Sequence, residues 1–140
     1  MDREWIGWLA GIIDGEGHIS ISPNGGSQHC IFLGITNTDK SIIDKVSEIT
    51  GHGYIKRKRT NEKWKDTYQW IVTANQAYLI LNMVLPYLVG KRERAELAIT
   101  LQIRIRNRVG NRGRLGITKE EFTIREDYRS DLAYMNARGA

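Results

Sequence analysis

Between Gly15 and Gly17 the spacing of apolar residues changes from that of a helix to that of a strand, and no other stretch limits the fold so strongly. Before the change, Trp5, Trp8, Leu9, Ile12 and Ile13 share one face of a helix predicted over Arg3 to Gly15. Gly7, Ala10 and Gly11 line another face. A glycine inside a helix costs about 1 kcal/mol against alanine, so this pair points to a second backbone approaching closely, with local tolerance as the alternative. After the change, Ile19 and Ile21 alternate with His18, Ser20 and Ser22, the mark of a half-buried strand. Pro23-Asn24-Gly25-Gly26-Ser27 reads as a hairpin loop, and a return strand runs from about Gln28 to Thr36.

A helix and a second hairpin follow. Thr38 or Asp39 can cap a helix over about Ser41 to Thr50, ended by Gly51 and Gly53. Strands at Tyr54 to Arg59 and about Trp64 to Thr73 flank a turn at Thr60-Asn61-Glu62-Lys63, with Ile55, Tyr68, Trp70 and Val72 on the apolar side. Asn75 can cap a short helix that Pro86 stops, before a longer one over about Lys91 to Arg106. A loop rich in Gly and Arg, Asn107 to Gly116, precedes a last helix, opened by the capping-box pair Thr118 and Glu121 and reaching about Asn136. The predicted class is α+β, an αββαββα order with a four-stranded antiparallel sheet and extra C-terminal helices. At 140 residues and 41% apolar, the chain suits one domain spanning 1–140, with its core at about 3–106 and the basic loop and last helix at about 107–140.

Lys and Arg number 21 against 16 Asp and Glu, a net charge of +5 that suits a polyanion, nucleic acid first. Cys30 is the only cysteine, which excludes an intrachain disulfide and a cysteine metal site and suggests a reducing, intracellular setting, the cytoplasm or an organelle interior. Neither a signal peptide nor a membrane span is indicated, because the apolar run from Ala77 to Leu88 is broken by Asn82 and Pro86. No two segments are similar enough to be copies of one motif.

Leu9-Ala10-Gly11-Ile12-Ile13-Asp14-Gly15-Glu16-Gly17 closely resembles the signature of the LAGLIDADG homing endonucleases, enzymes of mobile introns, with Glu16 replacing the second Asp. The stretch Leu85-Pro86-Tyr87-Leu88-Val89-Gly90-Lys91 leading into Ala95-Glu96-Leu97 also matches, and the resemblance covers roughly residues 5 to 103. It implies a single-motif homodimer whose two motif helices pack along Gly7, Ala10 and Gly11, with Asp14 at the interface capping the partner's helix. One carboxylate and one carbonyl are too few ligands for an octahedral Mg²⁺ (or Mn²⁺). The resemblance therefore implies that Glu16 and the Gly15 carbonyl of each chain complete a metal site at the scissile phosphates, and that the reaction is metal-dependent phosphodiester hydrolysis.

Lys91 matches a basic residue near the family's active centre, where it would stabilise developing phosphate charge, although a solvated helix-start lysine fits the same position. Asn37 matches a polar position that holds water near the metal, although an asparagine at a strand exit also serves plain turns. Family members lay their sheet in the DNA major groove, which makes Ser20, Ser22, Gln28, Lys56, Lys58, Lys65, Thr67 and Gln69 the DNA-facing set, with Arg57 and Arg59 nearby. The charged run 56–59 equally fits an edge strand protected from aggregation. Arg104, Arg106, Arg108, Arg112 and Arg114 either wrap the phosphate backbone or stay in solvent. His18, His29 and His52 lack ligand spacing and are assigned to surface hydrogen bonding. The expected activity is a site-specific double-strand break in a long, pseudo-palindromic DNA site. An intron maturase, with intron RNA as partner, and a non-catalytic DNA-binding regulator are the alternatives on the same fold.

Overall fold

The computed structural model describes residues 1–24, 28–59 and 65–138. The elements are α1 (Arg3–Glu16), β1 (Gly17–Asn24), β2 (Gln28–Asn37), α2 (Lys40–Thr50), β3 (Tyr54–Lys58), β4 (Thr67–Thr73), α3 (Ala74–Val84), α4 (Arg92–Arg106) and α5 (Lys119–Arg138). This is the α+β order read from the sequence. The hairpin positions 25–27 and 60–64 lie outside the described residues.

All four strands join one antiparallel sheet in the order β1-β2-β4-β3. Residues directly opposite each other share a face, so Ile19 with Leu33, Ile21 with Ile31, Ile35 with Trp70 and Leu33 with Val72 form one apolar surface. None of these side chains is more than 6% exposed. They pack against Leu9 and Ile13 of α1, Ile43 and Val46 of α2, Ile80, Leu81 and Val84 of α3, and Ala95, Ala98 and Leu101 of α4. Each large aliphatic group so buried stabilises the fold by about 1.5–3 kcal/mol. The opposite face carries His18, Ser20 and Ser22 of β1, Phe32 and Thr36 of β2, Thr67 and Gln69 of β4, and Lys56 and Lys58 of β3.

Helix ends explain several departures from the sequence reading. Asp39 caps α2 as expected, its carboxylate accepting from the Ser41 N–H at 2.9 Å. Asn75 caps nothing: it lies inside α3 and its Oδ1 accepts from Gln102 Nε2 at 3.0 Å and from Arg106 Nη1 at 3.1 Å, tying α3 to α4. Only half of the capping box at α5 forms. Thr118 Oγ1 accepts from the Glu121 N–H at 3.1 Å, but the Glu121 carboxylate, only 2% exposed, turns to Arg104 and Arg125 instead.

α5 closes the outer edge of β1. Asn136 Nδ2 donates to the Ile19 carbonyl at 2.9 Å, Leu132 enters the core, and Glu126 pairs with His29 at 2.6 Å. His29 is therefore buried at 4% exposure, not on the surface as the sequence reading had it, because strand alternation puts it on the same side as Ile31 and Leu33. Covering an edge strand in this way removes a template for unwanted pairing. Among the described residues no helix is long and apolar enough to cross a membrane.

Candidate active site and nucleic-acid face

At the C-terminal end of α1 the chain passes directly into β1, and Gly17 makes the passage possible. A Cβ there would stand 2.6 Å from the Ile13 carbonyl oxygen and 2.8 Å from Ile13 Cα, closer than any side chain allows. The helix thus ends with the Glu16 side chain exposed at its tip. Asn37, at the exit of β2, donates from Nδ2 to Glu16 Oε2. Its orientation is forced from behind: Asn37 Oδ1 accepts from the Asp39 N–H at 2.7 Å, so the amide can present only its NH₂ group to the carboxylate.

Lys91 reaches the same turn from the other side. Its Nζ donates to the Asp14 carbonyl at 2.7 Å. Burial and the nearby Arg94 guanidinium push the Lys91 ammonium below the ordinary lysine value, with the Asp14 carboxylate pulling the other way. Gly15, Glu16, Gly17, His18, Lys91, Arg94 and Asn136 line one cavity of about 350 Å³. Glu16, Asn37 and Lys91, predicted from distant parts of the sequence, are therefore brought together. Arg94 and Asn136 were not foreseen. Arg94 lies one helical turn beyond Lys91, a spacing that could have signalled it; it donates to the Gly90 carbonyl at 3.3 Å and the Met135 carbonyl at 3.0 Å. Asn136 arrives only through the packing of α5, which no local signal announces.

Two interface expectations need correction. Asp14 caps its own chain rather than a partner's helix: Oδ2 accepts from the Val89 N–H and Oδ1 from the Lys91 N–H, both at 2.9 Å, at the start of α4. Ala10, at 1% exposure, packs in the chain's own core and cannot line an intermolecular face. The small-residue face consists instead of Gly7, Gly11 and Gly15, four residues apart, and a Cβ built on any of them meets nothing within 4 Å. Nothing in the chain's own packing requires glycine at these positions.

Glu16 is the one carboxylate the chain exposes to a cation at this tip. Among the described residues no group of three His, Cys, Asp or Glu gathers to hold a metal ion. Glu16 and the Gly15 carbonyl are hard oxygen donors, the chemistry that Mg²⁺ prefers, but too few to complete its octahedral coordination.

The register places Ser20, Ser22, Lys56, Lys58, Thr67 and Gln69 on the sheet face away from the core. Thr36, Lys56, Arg57, Lys58, Thr67 and Gln69 surround a concavity of about 520 Å³ on that side. Gln28 begins β2, but its side chain lies outside the described residues. Lys65 is exposed just before β4, and Arg57 pairs with Asp66 at 2.5 Å. Three arginines of the arginine-rich segment are engaged within the chain. Arg104 binds Glu121 at 2.5 Å, Arg106 stacks on Tyr78 at 4.6 Å, and Arg112 donates to the Leu115 and Ile117 carbonyls at 3.1 Å. These contacts help build the loop, and Arg106, Arg108, Arg112 and Arg114 all stay exposed, with Arg104 half-buried.

The LAGLIDADG-like domain model matches residues 5–84. No curated protein matches the sequence. Among solved structures, the homing endonuclease I-CvuI, in complex with the I-CreI target, is similar with a TM-score of 0.74 and 19% identity over 95% of this chain and 82% of that one. The archaeal intron-encoded homing endonuclease I-Vdi141I, complexed with DNA, gives 0.63 and 16% over 95% and 99%. The meganuclease I-SmaMI, bound to uncleavable DNA, gives 0.67 and 17% over 96% of this chain but only 45% of its own. At these identities the likeness establishes the fold.

Proposed function

The chain belongs to the LAGLIDADG-like domain family, and from that premise we propose that it is a homodimeric, site-specific endonuclease that breaks both strands of a long, pseudo-palindromic DNA duplex with divalent metal ions. The observation that carries the reading is the placement of Glu16 at the end of the Gly7, Gly11 and Gly15 face. Three glycines cost a lone helix about 1 kcal/mol each, a cost without return inside this chain. Pairing two copies along that face would bring two Glu16 tips together and repay it through close backbone contact.

In that assembly Glu16 and the Gly15 carbonyl of each copy would hold Mg²⁺ or Mn²⁺ against the scissile phosphates. The ions would supply Lewis-acid stabilisation of charge on the phosphate. Asn37 fixes the Glu16 carboxylate, and the half-buried Lys91 ammonium adds positive charge where negative charge builds in the transition state. The polar and basic sheet face, with Lys56 and Lys58 beside Gln69 and Thr67, supplies the groove contacts.

The deciding experiment uses duplexes selected from a randomised library. The wild type is expected to cut them in Mg²⁺ and to bind them without cutting in Ca²⁺. Glu16→Gln keeps an acceptor for Asn37 and removes the charge, so it should bind normally and not cut. Normal cutting by Glu16→Gln would overturn the mechanism. A wild type that binds but never cuts would indicate the DNA-binding regulator, and binding confined to RNA would indicate the splicing cofactor.

A further inference from the structure

The DNA-facing sheet surface is polar at most positions but not at its centre. Phe32 of β2 points to that side, opposite Ser20, and is half-buried. Its ring folds along the strand over Gly34: a Cβ on Gly34 would stand 2.8 Å from Phe32 Cε1 and 3.0 Å from Cζ. The same Cβ would be 3.3 Å from Gln69 Nε2, which reaches in from β4. The His18 ring meets Phe32 edge-on from β1, with centroids 6.2 Å apart. Gly34 is thus a bare patch of backbone across which an aromatic ring and a carboxamide are held side by side. His18 also lines the Glu16 and Lys91 cavity, which puts this pair beside the cleavage centre.

We propose that Phe32 and Gln69 together read one A·T base pair next to the scissile phosphate, Phe32 covering the thymine 5-methyl group and Gln69 bonding the adenine N6 and N7 edge. The inference rests on the endonuclease reading above and specifies its substrate. The chemistry is selective because the major groove presents one apolar group, the thymine methyl, and because a carboxamide matches adenine's donor and acceptor pair. Those two features lie on the same base pair. Lys56 and Lys58, across from Gln69 and Thr67 on the same face, supply the charge that would draw the duplex onto it. Gly34 is required because any side chain there would push the ring and the amide apart.

The test is selection of bound duplexes from a randomised library in Ca²⁺, followed by affinity measurements on the recovered sequence. Wild type should enrich A·T at one position in each half-site. Replacing that thymine by uracil should weaken binding about fourfold, the worth of one buried methyl. Replacing the adenine by 7-deazaadenine should weaken it about tenfold, within the range for one bidentate base contact. Phe32→Leu keeps the sheet filled and should lose most of the uracil effect, and Gln69→Ala should lose the deazaadenine effect, each leaving the other effect in place. Recovered duplexes whose A·T preference is unchanged in both variants would overturn this inference alone. Failure to enrich any duplex would overturn it together with the endonuclease reading.

Discussion

Asp14→Ala is the most informative single perturbation, because the carboxylate joins the motif turn to the start of α4 through two backbone N–H groups at 2.9 Å. Hydrogen bonds to a charged acceptor contribute about 1.5–3 kcal/mol each when well shielded. Val89 is 85% exposed, so water can replace most of what its N–H loses. Lys91 is half-buried, and its N–H counts as a lost helix cap at about 1–2 kcal/mol. The sum is about 2 kcal/mol, a fall in Tm of about 4–8 °C for a chain of this size. The effect on function should exceed the effect on binding. With the start of α4 loosened, Lys91 no longer holds its place beside Glu16, and cleavage should slow by about tenfold, near 1.4 kcal/mol in the barrier.

The measurements are thermal unfolding by circular dichroism at a fixed chain concentration, since the stability of the proposed dimer would depend on it, and single-turnover cleavage alongside affinity in Ca²⁺. Asp14→Asn should fall between the two states, because its one oxygen can accept from only one of the N–H groups while its NH₂ faces the other. An Asp14→Ala protein that melts within about 1 °C of wild type and cuts at the normal rate would refute the cap and its link to Lys91.

Gly11→Leu should fold as well as wild type, since a Cβ there meets nothing within 4 Å in its own chain and the position is exposed, yet sediment as a monomer and fail to cut both strands; a fully active dimer would remove the basis for pairing along this face. In acid, the Arg129 and His29 partners hold the Glu126 carboxyl down at about 2 from its ordinary 4.5. A lowered folded-state value stabilises above the unfolded one, so this contribution is present above about pH 4.5 and is lost as the pH falls towards 2. Glu126→Gln should flatten the fall in urea midpoint across that window, and an unchanged slope would mean that the pair does not form in solution.

The order of elements was readable because each rests on local signals: Ile19 and Ile21 alternate, and Thr38 and Asp39, either of which can cap, precede α2. What failed were decisions between two faces or two partners. Ala10 and Gly11 are both small and adjacent in sequence, yet about 100° of helix separates them, and that turn divides the chain's core from its open face. Glu121 carries the capping-box spacing, but two arginines, Arg104 on α4 and Arg125 one turn along α5, compete for its carboxylate and win. α5 was hardest to place because few apolar side chains hold it. Leu132 is its one fully buried apolar residue among those described, while Asn136, Glu126 and Glu121 attach it by polar bonds to residues far along the chain.

The same polar economy explains how an exposed site can be stiff. A free glutamate side chain has up to about 2 kcal/mol of rotamer entropy to lose, and Glu16, standing in solvent, gains nothing from packing to offset it. Its order comes instead from the starts of two helices. At α2, the Asp39 N–H turns the Asn37 amide, and the amide holds Glu16. Just before α4, Asp14 accepts from the N–H groups of Val89 and of the N-cap Lys91, while Lys91 returns its ammonium to the Asp14 carbonyl. Helix starts suit this task because their N–H groups need acceptors in any case, so bonds that fix Glu16 and Lys91 also satisfy donors that would otherwise go unpaired. Electrostatic catalysis depends on such pre-set positions. Glu16 and Lys91 are therefore placed by backbone geometry that the core of α2 and α4 has already made rigid, with the Glu16 tip exposed as the proposed duplex and second copy of the chain require.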